Sequence, residues 1–127
     1  MNLTFVPNAL EKISPTWVIS DITYLDGIIT RTEDDYLRRI GSTFKGISFL
    51  GPGYPAWFEY SKDNLGASKS GFLHTSLVKE LEIILDIGYA KLAITTEHSI
   101  FFLESAEPVQ ETAEIRELMD QINALNK

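Results

Sequence analysis

The sequence predicts an α+β fold: a mostly antiparallel curled sheet or partly open barrel of five to seven strands, one short early helix, and a C-terminal amphipathic helix packed on the sheet. Three observations predict it. Short runs rich in β-branched and aromatic residues recur along the chain, each bounded by Gly, Pro, Asn or Asp. The intervals between them are too short for the crossover helices that parallel strands require. Finally, Ile115, Leu118, Met119, Ile122 and Leu125 repeat at three-four spacing, which is the apolar stripe of a helix. No internal repeat is visible, and 127 residues suit one domain spanning the whole sequence.

Taken in order, residues Thr16 to Leu25 alternate loosely and then meet Asp26-Gly27 and a second run, Ile28 to Arg31. Asp-Gly between two such runs predicts a hairpin, because a type I′ turn needs positive φ at both central residues. Thr32 then offers an N-cap ahead of Glu33, Asp34 and Asp35, and the short helix so begun ends at Gly41 after Arg38 and Arg39. Two strands follow, Thr43 to Leu50 and Ala56 to Tyr60, around the turn Gly51-Pro52-Gly53-Tyr54-Pro55. Lys62 to Gly71 reads as a mobile surface loop. Leu77 to Ile84 suits a strand or a short helix, and Lys91 to Thr96 with Ser99 to Leu103 reads as one bent strand or a hairpin turning at Glu97-His98. The C-terminal helix is expected to open at Pro108 and to pack on the sheet. Its spacing would also fit two heptads of a self-associating coil, so a homodimer is the alternative.

Composition narrows the function classes. Without cysteine, there are no disulfides, no thiolate nucleophile and no cysteine-ligated metal centre. A net charge of −7 opposes the phosphate backbone, so nucleic acid is not expected as the primary ligand and a protein partner with a basic surface is. No run of apolar residues approaches a membrane span, and Met1 to Pro7 lacks the features of a secretory signal, so the expected location is cytoplasmic, away from membranes.

Candidate chemistry is sparse. His74 and His98 each neighbour hydroxyl residues, but no nucleophile elbow, His-Glu-x-x-His or Gly-x-Gly-x-x-Gly accompanies them, so no catalytic residue, metal ligand or cofactor is assigned. Glu80 and Glu82 would share one side of a strand, as an exposed polar face does. The Gly51 to Pro55 loop carries more weight. Its prolines preorganise the chain and its glycines allow close approach, presenting Tyr54 with Trp57 nearby as a rigid aromatic contact. Phe72, which with Leu73 directly follows the Lys62 to Gly71 loop, is a second candidate contact, the alternative being the start of a buried strand. Glu114, Glu117 and Asp120 flank the C-terminal stripe and are the third, electrostatic, component: from Glu97 to Asp120 there are seven acids and, among basic residues, only Arg116.

These features describe a small acidic non-enzymatic binding protein that engages and inhibits or modulates another macromolecule, in the manner of immunity proteins, antitoxins or phage-encoded inhibitors. The alternative is a domain that senses or sequesters a small ligand or nucleotide in a pocket inside the sheet, lined by Trp17, Tyr24, Trp57 and Phe72. A hydrolase using His74 or His98 ranks third.

Overall fold

Along β5 (Tyr89–Thr96) and β6 (Ser99–Ser105) every second side chain is buried, the period-two signature of a sheet with one face on a core. The computed structural model describes residues 9–25, 39–49 and 52–125. The remaining elements are α1 (Ala9–Ile13), β1 (Trp17–Tyr24), β2 (Thr43–Phe49), β3 (Pro55–Lys62), β4 (Phe72–Asp86) and, after β6, α2 (Ala113–Ala124).

The six strands form a closed antiparallel barrel in the order β1-β2-β3-β4-β5-β6, with β6 returning to β1. The expected partly open sheet is therefore complete. Closure depends on bends. Strand β4 is 15 residues long and changes neighbours midway, pairing with β3 through Phe72 to Leu77 and with β5 from Val78 to Asp86. Register shifts at Pro55/Trp57 and Val78/Glu80 bracket that change, and the buried residues pass from Leu73 and Thr75 through Val78 to Leu81 and Ile83. Such bulges bend a strand and turn a sheet corner. The ambiguous Leu77 to Ile84 run is thus the second half of a long strand.

Two turns between strands are defined by their backbone. The Lys62 to Gly71 segment lies on the surface, but as an ordered extension of a hairpin: Asp63 Oδ1 accepts from the amides of Leu65 at 2.9 Å and Ala67 at 3.0 Å, and Lys62 bridges Ser68. Between β4 and β5 the chain turns at Ile87-Gly88, with φ of 51° and 83°, a two-residue turn with both central residues left-handed. Of the two readings of the Lys91 to Leu103 stretch, the hairpin turning at Glu97-His98 is the one formed, held by Thr96 Oγ1, which accepts from the Ser99 amide at 3.1 Å.

The Asp26-Gly27 turn, the Ile28 to Arg31 run and the Thr32 helix start lie outside the described residues. Gly41, expected to end that helix, has φ of 89° and donates its amide to the Ile19 carbonyl at 2.8 Å. The described residues add a helix ahead of β1, α1, which no expectation above covered.

Helix α2 begins at Ala113 rather than at Pro108. Thr112 is its N-cap, its Oγ1 accepting from the Ile115 amide at 3.1 Å, and this satisfies a terminal donor that Pro108 has no means to satisfy. Leu118, Met119, Ile122 and Leu125 are buried in one core with Ala9, Leu10 and Ile13 of α1, so the stripe packs within the molecule.

The barrel interior is filled. Phe58 meets Phe44 and Phe101 edge-on at 5.4 and 5.7 Å, and Trp17 is fully buried with its Nε1 donating to the Leu10 carbonyl at 3.3 Å. The expected interior pocket is thereby corrected. Trp17 is core, whereas Trp57 and Phe72 stand on the outside, because in β3 the inward positions are Ala56, Phe58 and Tyr60.

Candidate functional site

Strand parity decides which aromatics reach solvent. In β3, Pro55, Trp57 and Glu59 point outward, and their partners across the β3–β4 pairing are Leu77, His74 and Phe72. This produces an aromatic ladder on the outer face of the barrel. The Trp57 and His74 rings lie 4.9 Å apart and 32° from parallel, while Phe72 meets Trp57 edge-on at 6.1 Å. The rungs are exposed: Trp57 44%, Phe72 58%, Leu77 44%, with Tyr54 at 53% beside them. A contiguous exposed patch of this kind stands out from the isolated apolar residues that every protein surface carries.

The ladder is rigid for reasons visible in the chain. Gly53, with φ of 91°, donates its amide to the Val78 carbonyl at 2.8 Å, and the Val78 amide donates to the Tyr54 carbonyl at 2.9 Å. These two bonds clamp the Pro52 to Tyr54 turn onto β4. At the other flank, Thr75 Oγ1 accepts from the Ala56 amide at 3.0 Å, restoring a bond where the register shifts between Pro55 and Trp57. Lys45 pairs with Glu59 at 3.7 Å near the Phe72 rung.

Of the residues singled out in the sequence, Trp57 and Phe72 are brought together on one face, and Tyr54 is exposed in the turn that leads into β3. His74 and Leu77 join them, and their signal lay in the alternation of Phe72, His74 and Leu77 against Trp57 once β3 and β4 are known to pair. Glu114, Glu117 and Asp120 sit on a separate element, exposed along α2 beside an ion pair between Glu111 and Arg116. Glu80 and Glu82 are exposed on the outer side of β4. The two histidines serve different places: His74 stacks in the ladder, while the His98 carbonyl accepts from the Leu25 amide at 2.9 Å at the β5–β6 turn.

A concavity of about 390 Å³ spans β1, β4, β5 and β6 and is lined by Ile84, Ala93 and Phe102 together with Asp21, Glu82 and Glu104. Lys91 crosses it to Glu104 at 2.5 Å, and that bond holds its ammonium above the ordinary lysine range. Among the described residues no three His, Asp or Glu side chains gather so as to hold a metal ion, and no helix is long and apolar enough to cross a membrane. Neither a family model, nor a curated protein sequence, nor a solved structure matches this chain.

Proposed function

We propose that this is a non-enzymatic binding protein that docks on another macromolecule through the Tyr54, Trp57, Phe72, His74 and Leu77 face and thereby inhibits or modulates it. The observation that carries the reading is the stacked, clamped and exposed ladder on β3 and β4. Preordered aromatics lose little entropy on association and are the residue types that dominate interface energies. The partner surface is apolar where it meets the ladder, and a basic partner suits the net charge of −7.

Pull-down from the source cells with the wild type and with Trp57→Ala/Phe72→Ala side by side tests the reading. A partner held by the wild type and lost by the double variant supports it. A partner held equally by both removes the ladder from the interface. Sedimentation of the purified protein separates the remaining case, because a ladder-dependent dimer would make the second copy its occupant.

A further inference from the structure

Beside the ladder, Arg39 and Lys69 line one pocket of a protein whose net charge is −7. Gly41 brings the Arg39 to Ser42 corner against the β3–β4 loop, where a Cβ at Gly41 would lie 3.5 Å from that of Asn64. Between them is a pocket of about 320 Å³ lined by Arg39, Tyr60, Lys69, Ser70 and Phe72. Its base is the Tyr60 ring, packed on Phe44 at 4.7 Å on the core side and covered by the Lys69 ammonium at 4.1 Å from its centroid. Arg39 is close enough for its charge to act on the Tyr60 phenol. Two cations, a phenol and a serine hydroxyl thus surround one concavity, and its rim, Phe72, is the first rung of the ladder.

We propose that this pocket binds the phosphate of a small phosphorylated ligand bearing a planar ring, of the nucleoside monophosphate class, with the ring seated against Phe72 and Trp57. Guanidinium and ammonium donors recognise a phosphate through charge-assisted hydrogen bonds. The adjoining aromatics supply the stacking surface for a base. The choice of a mononucleotide over a strand follows from charge: one phosphate finds two cations here, whereas a polyanion would meet the repulsion of a net −7 protein. The site shares Phe72 and Trp57 with the docking face and adds Arg39 and Lys69, which the docking reading does not need, so loss at those two cations tests it separately.

Tryptophan fluorescence reads the site directly, since Trp17 is fully buried and Trp57 is the exposed one of the two tryptophans. Adenosine monophosphate should quench the emission saturably, and Arg39→Ala/Lys69→Ala should weaken binding about tenfold or more, the loss of charge-assisted bonds to phosphate. Trp57→Phe should abolish the quench while calorimetry still detects binding. Absence of saturable binding at millimolar nucleotide, or affinity unchanged in the double variant, would overturn the proposal. Equal affinity for ribose 5-phosphate would remove the ring from Phe72 and Trp57. Tighter binding of a single-stranded oligonucleotide than of the mononucleotide would replace the small ligand with a strand.

Discussion

The Asn123 side chain forms a two-point hydrogen bond with the backbone of Ile83, its Oδ1 accepting from the Ile83 amide at 2.9 Å and its Nδ2 donating to the Ile83 carbonyl at 2.9 Å. Strand β3 pairs only with the first half of β4, so the second half has an edge without a strand beside it. The carboxamide takes the place of that strand, and α2 is thereby fixed to the barrel. Uncovered edges are otherwise sites of intermolecular pairing.

Asn123→Ala should leave a buried amide and carbonyl without their partner and cost about 1–3 kcal/mol, read as a lower denaturant midpoint at unchanged slope. Asn123→Asp keeps the acceptor but sets a carboxylate oxygen against the Ile83 carbonyl in place of the donor, so it should cost at least as much as Asn123→Ala. A midpoint equal to that of the wild type for Asn123→Ala would show that water replaces the side chain at no cost.

Ile87 is a β-branched residue held at φ of 51° and 92% exposed, so it bears a steric cost without compensating burial. Ile87→Asn should stabilise the protein by roughly 1 kcal/mol, because Asn adopts the left-handed conformation of this turn with less strain. A thermal melt checks it. A loss of stability would mean that the isoleucine makes contacts worth more than its strain.

Burial pushes the Tyr60 phenol above its usual range, with Arg39 drawing it partly back. A group whose pKa is higher in the folded than in the unfolded chain binds more protons when folded, so its contribution to stability is complete below the ordinary tyrosine value of 10.0 and is lost as pH rises through the folded value. Stability should therefore decline above about pH 10, and Tyr60→Phe, which retains the ring between Phe44 and Lys69, should flatten the decline. Denaturant titrations of both proteins at a series of alkaline pH values measure the difference. Parallel curves would exclude Tyr60 as the cause.

On α2, the two faces should respond differently. Leu118→Ala should cost roughly 2–4 kcal/mol as a buried truncation, while reversing Glu114, Glu117 and Asp120 to lysine should change stability little, since exposed charges contribute weakly. The triple variant should nevertheless associate more slowly with a basic partner at low salt. Unchanged association at every ionic strength would place the partner wholly on the ladder.

The sequence by itself determined what short-range chemistry controls. The β-branched and aromatic runs named five of the six strands as strands, Glu97-His98 marked the place where a hairpin or a bend would fall, and the three-four spacing from Ile115 to Leu125 identified the face of α2 that is buried. Tyr54, Trp57 and Phe72 were also identifiable, because a Gly-Pro turn and large apolar residues beside loops are local features. Tertiary structure decided which of them meet. Only the pairing of β3 with β4, shifted by a bulge, sets Trp57 against His74 and turns Trp57 and Phe72 outward, and only the pairing of β1 with β2 and β6 sends Trp17 into the core; a one-residue slip in either would reverse the orientations it sets. The bends of β4, the junction of Arg39 with Lys69, and the Asn123 bond to Ile83 across 40 residues of sequence likewise depend on long-range closure, for which no local pattern carries a signal.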